Sequence, residues 1–290
     1  MNPIETERAS LYERIIKAHD YSELYFSERT EPKEYAKDAF TLIDDIPDEN
    51  LHLTDEAVFS TFQPAQDNKG RIWLLRGIED IKKEKPDLLQ RRAFAYELGR
   101  TLGVNIVETR LVEIGEVQYN ATRFLPNAVD RSCKHFPPDF RAKVEQDLSV
   151  AWPFNYFMQA EGDLQYIFTS AGRGVLIDYA VGLLLETESM PPLPENQRWS
   201  APYYANVRTQ SKNLDRYRDY LDGVHQTDAL AVQDGIRKIM ALSDSTLEEL
   251  VRRNLPQTLV MENGEVADYQ KKALAHIKWR RDHIQEVFGK

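Results

Sequence analysis

Residues Gly172–Leu185 read GRGVLIDYAVGLLL, and the organisation of the chain follows from them. A Gly-Arg-Gly turn leads into Val175, Leu176 and Ile177, then Asp178, with a second small-residue bend at Gly182. Three apolar residues running into one carboxylate predict a short buried strand with an acid at its C-terminal end. A charge there is costly unless it is paired, and a metal ion is one common partner. A second acid, Asp163 in AEGDLQ, lies fifteen residues upstream. The plain alternative for the two is a turn-capping Asp178 and a solvated loop acid at Asp163.

Working outward, the whole sequence of 290 residues has room for one large domain or two smaller ones. Hydrophobic residues at 42% and aromatics at 10% suffice for a folded core. The net charge of −10 opposes nonspecific binding to nucleic acid or to an anionic membrane, so neither is expected as a partner. One cysteine, Cys133, precludes an internal disulfide and suits a reducing compartment, so a cytoplasmic location is expected. Its basic neighbours Arg131 and Lys134 could lower its pKa, but a lone loop thiol is more often inert. The polar, acidic start MNPIETERASLYER does not read as a signal peptide, and no apolar run approaches eighteen residues. The six histidines show no zinc-ligand spacing.

Residues 4–18 have helical periodicity, and 20–50 read as a loop with one short helix around 32–42. Strands are expected at 57–63 and 71–78, joined by the turn Asp67-Asn68-Lys69-Gly70. A helix over 86–103 follows, with Phe94, Ala95, Leu98 and Leu102 on one face and Gly103 as its stop. Strands at 108–114 and 117–124 flank Gly115-Glu116, a two-residue hairpin signal. Beyond Pro126 the pattern turns helical: 138–159 with a kink at Pro153, then 213–223, 229–242, 246–254 and 266–287. Ser245 and Glu248 are read as a capping box. Residues 187–212 are read as an irregular loop.

Three segments carry a family resemblance. RRAFAYELGRTLGVNIVETRLVEIG (91–115), NATRFLPNA (120–128) and FMQAEGDLQYIFTSAGRGVLIDYAVGLL (157–184) occur in this order. They resemble the helix-and-strand segment, the hinge strand, and the catalytic loop with metal-binding strand of HipA-like kinases and their phosphatidylinositol 3- and 4-kinase-like relatives. The resemblance spans about residues 55 to 185 and rests on order and spacing. It implies an α+β, two-lobed kinase-like fold: an extension over 1–54, a small sheet-plus-helix N-lobe over 55–126, and a mainly helical C-lobe over 127–290. The catalytic-loop-like segment is 161–182.

Carried over, Asp163 stands at the catalytic aspartate and Asp178 at the metal-binding aspartate. Arg76 falls where the family's phosphate-gripping lysine stands, and Arg92 where its partner glutamate stands. Glu97 lies further along the same helix. The loop is about three residues short, its metal-binding asparagine has no counterpart, Tyr179 replaces a histidine, and no glycine lies between Leu51 and Gly70. Phosphoryl transfer relies on those groups for positioning and charge neutralisation. The expectation is therefore a degenerate member, a regulatory or pseudokinase module. It would bind a nucleotide or another phosphorylated ligand through Arg76 and Arg92, with ATP and magnesium as the implied cofactors and a protein partner at the C-lobe or the 187–212 loop. The alternative is an active, atypical phosphotransferase using Asp163 and Asp178, with Lys69, Lys82 or Lys83 as substitute cations. A carboxylate pair for hydrolysis is a third reading.

Overall fold

The computed structural model describes residues 13–14, 17, 19, 22–28, 39–44, 46, 62–77, 88–128, 137–158, 166–177, 229–260 and 266–288. Of the strands predicted beside Asp67–Gly70, the second forms as β3 (Ile72–Gly77), whereas β2 runs Gln63–Asp67, later than the expected 57–63, of which 57–61 lie outside the described residues. Asp67 fixes the turn: its carboxylate accepts the backbone N–H groups of Lys69 (2.9 Å) and Arg71 (3.0 Å). The predicted hairpin is β4 (Thr109–Ile114) and β5 (Val117–Arg123). Its bend needs Gly115, whose φ of +63° lies in the left-handed region that L side chains avoid. Together with β1 (Phe40–Leu42) these strands make an antiparallel five-stranded sheet in the order β1-β2-β3-β5-β4. β1 falls at the end of the stretch around 32–42 that reads as a short helix, so a strand stands there instead, because its residues are drawn into pairing with β2. It pairs Phe40 with Asp67, and its Phe40 ring packs edge-on against Trp73 at 5.7 Å. A three-residue strand has no periodicity of its own to betray it. The stretch over 20–50 also carries a short helix, α1 (Ser22–Ser27).

Helix α2 (Leu88–Leu102) buries Phe94, Ala95, Leu98 and Leu102, the face its spacing predicts, and Gly103 ends it with φ +73°. That face joins a core shared with α3 (Pro138–Phe157), α4 (Ala229–Met240), α5 (Asp244–Asn254) and α6 (Tyr269–Phe288). α2 thus packs against helices on one side and β4 on the other. Each large apolar side chain buried there is worth about 1.5–3 kcal/mol. Helix α3 continues through Pro153, and α4 crosses it closely at Gly235. The N-cap of α5 is Ser243, whose Oγ accepts the Thr246 N–H at 3.1 Å. The cap therefore falls two residues before the predicted Ser245, because the chain enters the helix at the extended residue Ser243.

Two further hairpins complete the described residues: β6 (Tyr166–Phe168) with β7 (Gly174–Leu176), and β8 (Thr258–Val260) with β9 (Val266–Asp268). The second occupies the start of what reads as the last helix, which begins at Tyr269. The helix predicted over 213–223 and the loop over 187–212 lie outside the described residues, as does Cys133. Among the described residues no helix is long and apolar enough to cross a membrane.

Candidate functional site

The strand expected before Asp178 is β7, and all three of its residues are buried. β7 is paired on both sides. β6 runs antiparallel to it, and on the other edge Leu176 bridges in parallel to Ile106. The Leu176 N–H donates to the Asn105 carbonyl (2.8 Å) and the Val107 N–H to the Leu176 carbonyl (2.9 Å). The Gly-Arg-Gly turn is clamped to α3: Arg173 forms a bidentate pair with Asp147 (2.8 and 3.2 Å), and the same carboxylate accepts the Gly174 N–H at 3.0 Å. The described chain thus holds Ile177, the residue before Asp178, at the junction of β7 with the segment that follows α2. Asp178 and Asp163 themselves lie outside the described residues. So do Lys82 and Lys83, while Lys69 stands exposed in the β2–β3 turn.

Arg76 is exposed on β3. Directly paired residues of an antiparallel sheet share a face, so the register assigns each side chain to a side. Arg76 lies opposite Asn120, which lies opposite Leu111; Leu75, Ala121 and Arg110 form the neighbouring row on the other face. Arg110 pairs with Glu97 of α2, so α2 covers the Leu75 face and Arg76 points away from it. Arg92 is buried on α2. Arg76 therefore points away from the face of the sheet that is covered by α2, the helix carrying Arg92. Single-residue parity decides this, and Arg76 could be placed from the alternation of Ile72, Leu74 and Arg76 against Trp73 and Leu75.

The Arg76 face carries a feature the sequence reading missed. Asn120 is 2% exposed, and its Oδ1 is buried with no hydrogen-bond partner among the described residues. A buried amide oxygen without a donor costs about 1–3 kcal/mol and calls for an explanation. Arg76, across the strand, forms no ion pair among the described residues.

The opposite face holds a buried ionic network that also has no local sequence signal. Glu97 pairs with Arg110 and, at 3.0 Å, with Arg253 of α5. Arg110 reaches Glu108 at 3.3 Å, and Arg123 reaches Glu108 at 3.8 Å and Glu28 at 2.8 Å. Arg71 joins Asp67 at 2.5 Å, which also accepts the Trp73 indole N–H at 3.0 Å. Tyr25 of α1 sits under the Arg123 guanidinium at 4.6 Å, and its hydroxyl oxygen accepts the Glu108 N–H at 2.7 Å. Burial pushes the Tyr25 hydroxyl pKa far up, so it stays neutral. This network joins α1, the sheet, α2 and α5, and it occupies the Glu97 carboxylate. Among the described residues no cluster of three or more His, Cys, Asp or Glu could hold a metal ion.

No family model matches the sequence, and no curated protein matches it. Among solved structures the chain is similar to the crystal structure of a Helicobacter pylori proinflammatory kinase, CtkA. The TM-score is 0.44 at 9% sequence identity, covering 78% of this chain and 89% of that one.

Proposed function

We propose that this protein is a kinase-like module that binds a nucleotide or another phosphorylated ligand on the Arg76 face of the sheet, without efficient phosphoryl transfer. The observation that carries the reading is the Arg76–Asn120 pair: an exposed guanidinium with no carboxylate partner among the described residues, beside a buried amide oxygen with no donor. A phosphate answers the first. The order of the resembling segments supports the kinase-like part. The degenerate part is supported by the ionic network, since Glu97 is engaged with Arg110 and Arg253 on the far face from Arg76. Among the described residues no helix glutamate locks Arg76, the cation assigned to the phosphate. Asp178, following the doubly paired β7, is what favours the alternative of an active phosphotransferase that uses it to hold magnesium and Asp163 to orient the acceptor.

The test is titration of ATP, with and without magnesium, against the parent, Arg76→Ala and Asp178→Ala, with ADP release followed in parallel. The expected result is binding that Arg76→Ala weakens by about 1.5–3 kcal/mol, the worth of hydrogen bonds to a charged group, and that Asp178→Ala leaves largely intact. Magnesium-dependent turnover lost in Asp178→Ala would establish the active enzyme instead.

A further inference from the structure

On the side of the sheet away from Arg76, a pocket of about 140 Å³ opens between α1, α2 and the turn that follows α2. Its walls are Tyr25 and Phe26 of α1, Tyr96 and Arg100 of α2, and residues 103–106. The rings of Tyr25 and Phe26 meet edge to face at 5.3 Å, and the Arg173 guanidinium lies 5.7 Å over Phe26, so the aromatic wall is held from outside. Arg100 Nη1 donates to the Tyr96 hydroxyl oxygen at 2.9 Å. Among the described residues Arg100 has no carboxylate within ion-pair distance, although a guanidinium carries five donors. Burial works against its charge, but the bond to Tyr96 and the nearby Glu108 and Glu97 raise its pKa above the ordinary value, so it is a permanent cation. Those two glutamates are occupied by Arg110, Arg123 and Arg253. The Tyr96 hydroxyl, accepting from Arg100, keeps its own proton to donate, and burial pushes its pKa up to about 12. At the rim, the Lys238 ammonium comes close to Gly103 while paired with Asp234 at 2.8 Å.

We propose that this pocket is a second ligand site, taking a small molecule that joins one oxyanion, carboxylate or phosphate, to a planar apolar body. The guanidinium fork and the Tyr96 O–H would grip the oxyanion bidentately, and Tyr25 and Phe26 would cover the planar body. The site stands independently of the Arg76 face, since no residue is shared between them. It abuts the junction that carries β7, because Asn105, one of its walls, donates from Nδ2 to the Gly174 carbonyl at 3.2 Å.

The probes are benzoate, phenyl phosphate, the neutral isostere benzamide, and inorganic phosphate, titrated calorimetrically against the full chain. Benzoate or phenyl phosphate should bind saturably, with benzamide and inorganic phosphate each at least about tenfold weaker, as loss of the ionic or the planar contact implies. Which of the two anions binds tighter identifies the headgroup. Arg100→Gln should lose at least about tenfold in affinity, Arg100→Lys less, because it keeps charge but not the fork. The far-ultraviolet circular dichroism and thermal midpoint of Arg100→Gln should match the parent's, which reports that the variant is folded. The proposal is overturned if neither anion binds below about 10 mM. It is equally overturned if benzamide matches benzoate, if inorganic phosphate matches phenyl phosphate, or if Arg100→Gln binds like the parent.

Discussion

Replacing Glu97 by alanine removes a carboxylate that joins the sheet, α2 and α5. Its side chain is 8% exposed and Arg110 is 10% exposed, so their pair is buried, whereas Arg253 is 38% exposed. Breaking a buried pair from one side costs about 3–5 kcal/mol, because the remaining charge keeps its desolvation penalty. Arg110 retains Glu108 at 3.3 Å, which puts the loss at the low end, about 3 kcal/mol. The Arg253 contact is half open to water, and its loss alone is worth about 0.5–1 kcal/mol. With an unfolding entropy of about 2.1 cal/mol/K per residue over this chain length, roughly 0.6 kcal/mol/K, Glu97→Ala should lower Tm by about 5 °C. Arg253→Ala should lower it by about 1–2 °C. Differential scanning calorimetry of both variants, with the double-mutant cycles Glu97/Arg110 and Glu97/Arg253, measures the two couplings separately. The reasoning fails if the two single variants melt within about 1 °C of each other. It fails in a more instructive way if Glu97→Ala spares Tm but abolishes magnesium-ATP binding, since Glu97 would then belong to a ligand site.

Two further outcomes are expected from packing and from protonation. At Gly235, where α4 crosses α3, a Cβ would lie 2.9 Å from the Val150 carbonyl oxygen and 3.2 Å from Pro153 Cγ. Gly235→Ala should therefore lower the urea midpoint by an overpacking cost of about 1–3 kcal/mol, only partly offset by alanine's helix propensity of about 1 kcal/mol; a raised midpoint would disprove the close approach. His276 is drawn down to about 3 by burial, with Arg280 3.5 Å away adding repulsion. Its folded pKa is depressed below the ordinary histidine value of 6.5, so the unfolded chain takes up the proton first, and this stability contribution, full above that value, is lost as pH falls from 6.5 towards 3. Urea midpoints of His276→Gln should fall less steeply across that window than the parent's, and parallel slopes would refute the assignment.

What could be read from the sequence was whatever is written locally. Leu88–Leu102 shows its buried face through Phe94, Ala95, Leu98 and Leu102, and Gly115-Glu116 marks its hairpin because a tight bend restricts which residues fit. The three-residue strands β1, β8 and β9 are too short to show a period and exist only through their partners. The ionic network is assembled from Glu28, Asp67, Arg71, Glu97, Glu108, Arg110, Arg123 and Arg253, which topology alone brings together. Arg76 illustrates a different obstacle. A one-residue change of parity moves a side chain through the sheet, so a position inferred from similarity of order does not fix its face. Asn120 lies within NATRFLPNA, and its unmatched oxygen is visible only once burial is known.

The double pairing of β7 has a mechanical consequence. Its backbone is stitched to β6 on one edge and to Asn105–Val107 on the other, and Asn105 lies three residues beyond the end of α2. A strand held on both edges cannot slide without breaking its pairing to β6 or its hydrogen bonds to Asn105 and Val107, so the turn after α2 and the β7 end at Ile177 are tied through the backbone. Whatever presses on the turn at 103–106 is thereby felt at the residue from which the chain enters Asp178.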